Sequence, residues 1–384
     1  MKRIILLGAS GSIGTQTLDI IAKYPQEFLL VGFSVGKQAN KAEEILNRFP
    51  SVRAVCFQEM DAAYAFKDDH EELEVLYGDS GLVDLIQENE ADMVVNALVG
   101  FVGLVPTIKA LEANRIVATA NKESLVVGGK LINDLLDQGK GKIIPIDSEH
   151  VGVAKCLAEA EERKIAKIKI TASGGALRDY PLEKLDEVTP EQALAHPNWT
   201  MGKKITIDCA TMMNKGFELI EACVLFRRKM DDFSILMHRE SQMHACVEYT
   251  NGRLLCDISS PDMHGPIEYA LFEGQVEFEI KHVRSLKKLK NLHFFDFDPS
   301  RYPCVELAKK AYELGGNATA ILNAANEIAV NAFLDGQIAF TDIAYLVEEA
   351  LSDIPLRGEP TLEDLIFADT MTRSYCLERI RLAK

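Results

Sequence analysis

Met1-Lys-Arg-Ile-Ile-Leu-Leu-Gly8-Ala-Ser-Gly11-Ser-Ile-Gly14 is the stretch whose reading decides the fold. The apolar run Ile4 to Leu7 ends on a glycine, and two further glycines follow at three-residue steps. Glycines placed this way let the chain turn tightly and bring backbone amides against a pyrophosphate. The helix that follows then presents its positive end. The spacing is GxxGxxG rather than the commoner GxGxxG, so a bare turn is the competing reading. Its place between a strand and the helical pattern Thr15–Lys23 favours a dinucleotide site built on Gly8 and Gly11.

Outward from this loop, apolar strands are expected at Leu29–Val35, Arg53–Phe57, Met93–Ala97, Ile116–Ala118 and Lys142–Ile146, alternating with helical patterns such as Lys41–Phe49. Alternation of this kind makes a parallel sheet wound by helices, here over residues 1–147. The second strand runs out into Gly36-Lys37-Gln38. An NAD site usually carries an acid there for the ribose 2'-hydroxyl. A lysine suits a 2'-phosphate instead, so NADP is favoured, with a solvated loop lysine as the alternative.

The middle of the chain changes character. Strands are expected at Lys167–Thr171, Phe233–Met237, Met243–Tyr249 and Arg253–Ile258, the last two joined by a turn at Asn251-Gly252. They lack regular intervening helices, so residues 148–275 read as an α+β domain. Residues 276–297 read as a charged connector. Residues 298–384 read as a small helical domain with helices at Glu306–Leu314, Thr319–Leu334, Phe340–Leu351 and Thr361–Arg381. The expected class is therefore α/β, with an N-terminal Rossmann-type parallel sheet, a central α+β domain and a C-terminal helical domain.

Composition narrows the function. At 384 residues the chain is long for one core. A net charge of -16 argues against a general nucleic-acid binder, which needs Lys and Arg to displace counterions from phosphates. The eight cysteines form no CxxC pair and no zinc-like spacing, and read as buried free thiols of a reducing cytoplasm. The Ile4–Leu7 run is too short for a signal peptide, and no stretch reaches the ~18 apolar residues of a membrane helix. A cytoplasmic protein without membrane or nucleic-acid partners is expected.

Several clusters carry possible chemistry. The strand ending in Ile146-Asp147-Ser148-Glu149-His150 places two carboxylates two residues apart, where open α/β sheets gather ligands. Such a pair suits Mg²⁺ or Mn²⁺, and equally a helix N-cap. Asn214 and Glu218 share a helix face with Lys215 between them; a solvated face is the plainer reading of that trio. Lys122, just past a strand, is either a substrate-contacting cation or a surface lysine. Ser173-Gly174-Gly175 is a possible phosphate nest. His196-Pro-Asn-Trp199-Thr-Met-Gly202 holds the only tryptophan and reads either as a lid or as a core-anchored loop. His238 and His244 read as structural.

Together these motifs resemble the 1-deoxy-D-xylulose 5-phosphate reductoisomerase family. The resemblance runs over nearly the whole chain: the glycine loop, Asn96-Ala-Leu-Val-Gly-Phe, Ala120-Asn-Lys-Glu-Ser-Leu-Val, Ile146-Asp-Ser-Glu-His, Thr171-Ala-Ser-Gly-Gly, His196-Pro-Asn-Trp-Thr-Met-Gly, Ala210-Thr-Met-Met-Asn-Lys-Gly, Ser260-Pro-Asp-Met and Leu322-Asn-Ala-Ala-Asn-Glu. It implies a homodimer that uses NADPH and a divalent metal to rearrange and then reduce 1-deoxy-D-xylulose 5-phosphate, yielding 2-C-methyl-D-erythritol 4-phosphate. By the same resemblance Asp147, Glu149 and Glu218 hold the metal. Ser173, Asn214 and Lys215 hold the phosphate. Lys122, Ser148 and Glu149 meet the substrate's oxygens, and His196 and Trp199 lie in the lid. Ser10, Gly11, Ser12, Ile13, Gly36, Lys37, Gln38, Asn121, Glu123 and Gly202 line the cofactor; Lys122, Glu149 and His196 are the expected catalytic residues.

The chain departs from the family pattern in three places. Cys209 stands where a phosphate-binding serine is usual, Val151 where Asn or Ser is, and His238-Arg239-Glu240-Ser241 where His-Pro-Gln-Ser is. A thiol is a weaker donor than a hydroxyl. A paralogous NADP-dependent reductase or reductoisomerase of another sugar phosphate or polyol is therefore the second reading. A non-catalytic nucleotide sensor is the third, and retention of Lys122, Asp147, Glu149 and Glu218 speaks against it.

Overall fold

The computed structural model describes residues 1–275 and 292–382. Most of the connector expected at 276–297 thus lies outside the described residues. The first sheet is built from β1 (Lys2–Leu7), β2 (Phe28–Val35), β3 (Ala54–Phe57), β4 (Glu74–Tyr77), β5 (Met93–Asn96), β6 (Ile116–Thr119) and β7 (Lys142–Pro145), in the order β4-β3-β2-β1-β5-β6-β7. Every pairing in it is parallel. Ile4 to Leu7 are fully buried at its centre, as a strand covered on both faces should be. The chain order reverses at β1, so the crevice for a ligand opens at the C-terminal ends of β1 and β5.

The sequence reading lacks β4. It is a four-residue edge strand whose side chains are half-buried or exposed, too short for a periodic pattern to show.

The second sheet holds β8 (Ile165–Ala172), β9 (Phe233–His238), β10 (Met243–Tyr249), β11 (Leu254–Ile258) and β12 (Phe294–Asp296), ordered β11-β10-β8-β9-β12. Only β8 and β9 run parallel. Helices Ser148–Glu159 and Met213–Phe226 bury Val153, Cys156, Leu219 and Cys223 against Ile168, Ile170 and Val247 of this sheet. The β10–β11 turn takes three residues rather than two. Gly252 N–H donates to Tyr249 O at 2.9 Å, and Gly252 alone adopts the left-handed conformation, at φ 81°.

Contacts divide the chain into two compact units, drawn differently from the expected boundaries. The first holds residues 1–124 and 129–147, and also residues 263–275. Helix His264–Leu271 sets Ile267, Ala270 and Leu271 on one face, and these join the core of Ile4, Leu6 and Phe28. Phe272 packs edge-on against Phe28, with ring centroids 4.9 Å apart. The second unit joins residues 125–128, 148–262 and 292–382. Its C-terminal helices are Pro303–Leu314, Ala318–Leu334, Asp342–Asp353 and Leu362–Leu382. Ile321, Ala325 and Phe333 share one core with Leu177, Ile207 and Phe217.

Candidate active site

In the first unit the glycine loop is shaped by close backbone contacts. Gly8 has φ +79°, and a Cβ there would meet Ala97 O at 2.6 Å. A Cβ on Gly14 would meet Gly8 O at 2.2 Å. Gly11 is different: a Cβ there would find only Gly8 O, at an ordinary 3.4 Å. Gly11 begins helix Ser12–Lys23, and among the described residues no side chain caps the amides there. An uncapped helix start beside bare glycine backbone is a fit receptor for an anion. Ser34 of β2 holds the loop in register, its Oγ accepting from Gly8 N–H at 2.9 Å. The sequence signal for it is a single polar side chain in the otherwise apolar run Phe28–Val35.

Lys37, after β2, pairs with Glu59 at 2.5 Å, both well exposed. Between them Gln58 N–H donates to Gly36 O at 3.1 Å. The lysine is thus held at the end of β2 by an acid that sequence reading did not single out.

Asn121 caps helix Lys122–Asp137 by accepting from Ser124 N–H. Its amide donates to Leu98 O at 3.0 Å, Gly100 O at 2.9 Å and Glu123 Oε2 at 3.1 Å. Asn121 therefore braces the loop after β5. Lys122, buried at the start of the same helix, reaches Asp147 at the end of β7, Nζ to Oδ2 2.5 Å. β6 and β7 are neighbours, so their C-terminal ends set this cation and acid side by side.

Asp147 ends the first unit and Ser148 begins the second. Ser148 Oγ donates to Glu149 Oε2 at 2.6 Å. His244 of β10 approaches the same hydroxyl, with Nδ1 at 3.1 Å. Lys215 Nζ donates to Glu149 Oε1 at 2.9 Å and also to Glu218 Oε2. Asn214 Nδ2 donates to Glu218 Oε1. Met212, left-handed at φ 60°, turns the chain into helix Met213–Phe226 and so places Asn214, Lys215 and Glu218 on its first turns. His150 ties this helix to helix Ser148–Glu159, its Nε2 2.9 Å from Glu218 O. Behind it the fully buried Glu221 lies 3.4 Å from His150 Nδ1.

Burial works against every charge here, and the pairing overcomes it. Glu149 is held well below the usual carboxylate range: burial pushes it up, while Lys215, His244 and the Ser148 hydroxyl pull it further down. Burial lowers Lys215, but Glu149 and Glu218 raise it above the ordinary lysine value. Two carboxylates converging on one buried cation, with an amide beside them, are a hard-oxygen donor set that suits a divalent ion.

The third group lies on the loop after β8. Gly174 and Gly175 have φ +85° and +69°. A Cβ on Gly175 would meet Cys209 O at 2.4 Å, so the nest presses on helix Lys203–Thr211 at Cys209. Ser173 Oγ lies 3.2 Å from His196 Nε2. His196 Nδ1 accepts the backbone N–H groups of Asn198 and Trp199, at 3.2 and 3.0 Å. The ring proton is therefore on Nε2, facing Ser173. Burial, then Arg178, hold the His196 imidazolium value down to about 4. Arg178 itself donates to Ser173 O and Arg239 O; sequence reading passed over it.

Asn198 donates to Arg239 O at 2.6 Å and to Ser241 Oγ at 2.8 Å, so the Trp199 segment is anchored on the stretch where the family pattern is broken. Trp199 is half-buried. Gly202 caps helix Lys203–Thr211, with open space where a Cβ would stand. Val151 is buried in the helix that carries Glu149. The Leu322–Glu327 motif acts as a brace: Asn326 donates to Asp208, which also pairs with Lys204. His238 is structural as expected, bridging His293 O and Gln242 N–H.

A parallel sheet with a glycine loop at its switch point, together with a unit bearing clustered acids and a Ser–Gly–Gly nest, defines an enzyme of the nicotinamide-dependent oxidoreductase class. The sequence pattern of 1-deoxy-D-xylulose 5-phosphate reductoisomerase matches residues 4–129, that of its C-terminal domain residues 143–226, and that of the DXP reductoisomerase C-terminal domain residues 258–375. The chain is 43% identical to the 1-deoxy-D-xylulose 5-phosphate reductoisomerase of Geobacillus sp. (strain WCH70), over 98% of this chain and 99% of that one. It is 42% identical to that of Shouchella clausii (strain KSM-K16), over 97% and 99%. Among solved structures, DOX-P reductoisomerase in complex with NADPH, fosmidomycin and magnesium superposes with a TM-score of 0.92 at 34% identity, covering 100% of this chain and 99% of that one. The Zymomonas mobilis enzyme in complex with NADPH gives 0.89 at 35%, covering 99% of each. The chain belongs to the 1-deoxy-D-xylulose 5-phosphate reductoisomerase family.

Proposed function

We propose that this protein converts 1-deoxy-D-xylulose 5-phosphate to 2-C-methyl-D-erythritol 4-phosphate, with NADPH as reductant and Mg²⁺ or Mn²⁺ as the metal. The observation that carries this reading is the convergence of Glu149 and Glu218 on the buried Lys215 ammonium. It is supported by the relatives' names and by the NADPH and magnesium of the reductoisomerase structure described above.

NADPH would lie on the first unit, its pyrophosphate at Gly8, Ser10, Gly11, Ser12 and Ile13 and its 2'-phosphate at Gly36, Lys37 and Gln38. Asn121, Glu123 and Gly202 would complete the lining. Asp147, Glu149 and Glu218 would hold the metal, which when bound polarises the substrate carbonyl as a Lewis acid. Lys122 is placed to offset charge on the substrate oxygen as the carbon–carbon bond breaks. Ser148 offers its hydroxyl to a substrate oxygen. Ser173, Cys209, Asn214 and Lys215 would take the phosphate, with the glycine nest presenting backbone N–H groups to the same anion.

His196, neutral with its proton on Nε2, can donate to the substrate while its other nitrogen fixes the Trp199 segment. Closing that segment keeps water and the intermediate aldehyde apart before hydride transfer. The phosphate, remote from the reacting carbons, supplies binding energy to order it. We further propose a homodimer in the cytoplasm; among the described residues, no helix is long and apolar enough to cross a membrane. Purified protein given NADPH, Mn²⁺ and 1-deoxy-D-xylulose 5-phosphate should oxidise NADPH, and a chelator should stop it. Oxidation unaffected by the chelator would remove the metal from this account.

A further inference from the structure

The second unit carries a thiol pair that the reaction does not use. Cys246 of β10 and Cys256 of β11 are directly opposed in the antiparallel ladder, and their sulfurs lie 3.2 Å apart. The Tyr249–Arg253 pair closing the hairpin is hydrogen-bonded. Counting back along the ladder, bonded and non-bonded pairs alternate, which makes Cys246 and Cys256 a non-hydrogen-bonded pair. In such pairs the Cβ atoms approach most closely, within the range that a disulfide spans.

We propose that Cys246 and Cys256 form a redox-active dithiol that small organic disulfides of the glutathione type oxidise to a cross-strand disulfide. Cys256 is the half-buried member and Cys246 the buried one. Their mutual hydrogen bond holds the Cys256 thiol down to about 7, against the opposing effect of burial. Burial instead pushes Cys56, Cys156, Cys223, Cys304 and Cys376 up to about 12, which leaves them inert as nucleophiles.

The thiolate of Cys256 attacks one sulfur of the oxidant, and the first glutathione leaves as a thiolate. Cys246 then loses its proton and attacks Cys256 Sγ, expelling the second glutathione thiolate. Two protein thiols are oxidised and one glutathione disulfide is reduced to two thiols. Across strands this close a bridge is strained and easily reduced again.

The test uses the full-length protein. It is incubated with oxidised glutathione, quenched with an alkylating agent under denaturing conditions, and digested for peptide mass mapping. The expected result is a linked pair of peptides carrying Cys246 and Cys256, two hydrogens lighter than the separate thiols and released by dithiothreitol. Cys246→Ser should instead trap one glutathione on Cys256. Absence of the linked peptide from the unsubstituted protein, whatever other cysteine is modified, overturns the proposal. So does glutathione found on Cys246 rather than Cys256 when the oxidation is stopped early.

Discussion

Lys215 Nζ lies 2.9 Å from Glu149 Oε1 although 66 residues separate them, and both side chains are withdrawn from water. With Glu218 on the same ammonium, the lysine neutralises two acids inside the second unit. Removing one partner of a buried pair leaves uncompensated charge, at a cost of about 3–5 kcal/mol. Lys215→Ala should therefore lower unfolding stability by that order in urea titrations. Mn²⁺ should restore part of the loss, because a divalent cation can take the ammonium's place between the carboxylates. A variant as stable as its parent would mean the acids do not rely on this cation.

The glycine loop separates steric need from ligand need. Gly14→Ala drives a Cβ to 2.2 Å from Gly8 O, a backbone atom that cannot swing away. Overpacking of this kind costs roughly 1–3 kcal/mol, so the melting temperature should fall with or without cofactor. Gly11→Ala meets nothing closer than 3.4 Å and should cost less, about 0.5–1 kcal/mol, because alanine is a poorer helix N-cap than glycine. If the pyrophosphate rests there, it should weaken NADPH binding in fluorescence titrations. Equal melting losses in the two variants would contradict this division.

Lys37 is the cation proposed for the 2'-phosphate, and Glu59 competes for it at 2.5 Å. Lys37→Ala should raise the KM for NADPH about tenfold, near 1.4 kcal/mol, and leave kcat and the KM for NADH unmoved. Glu59→Gln should lower the KM for NADPH by freeing the lysine. Steady-state kinetics with both cofactors decides it, and an unchanged KM in Lys37→Ala would place the 2'-phosphate elsewhere.

His196 gives a pH signature. Its folded value is depressed to about 4 from an ordinary 6.5, by burial and then by Arg178. The unfolded chain therefore takes up the proton first. The stability this group contributes is complete above pH 6.5 and is lost as pH falls from 6.5 towards 4. An NMR titration of the imidazole should show a midpoint near 4, and Arg178→Gln should move it upward. A midpoint near 6.5 in the parent protein would contradict the burial and tautomer described for this ring.

What could be read from the sequence was local. The run Ile4–Leu7 with its glycines identified the parallel sheet and the cofactor crevice, because strand, loop and helix are contiguous there. The resemblance named Asp147 and Glu149, whose spacing alone is equally that of a helix cap, and Glu218, whose trio with Asn214 and Lys215 reads more plainly as a solvated face. What stayed hidden depends on contacts between distant segments. Helix His264–Leu271 shows an ordinary apolar face, and nothing in its own sequence says that the face meets Ile4 and Phe28. Ser34, Glu59, Arg178 and His244 gain their roles from Gly8, Lys37, Arg239 and Ser148, partners 22 to 96 residues away. Strand β4 was too short and too exposed to leave a pattern.

The central claim is that skeletal rearrangement and reduction occur together, and the product tests it most directly. Carbon-13-labelled 1-deoxy-D-xylulose 5-phosphate, NADPH, Mg²⁺ and the protein should yield 2-C-methyl-D-erythritol 4-phosphate, seen by NMR as a methyl group on a branched, oxygen-bearing carbon. A straight-chain polyol phosphate formed at the expense of NADPH would show a reductase without isomerase chemistry, and would contradict the account.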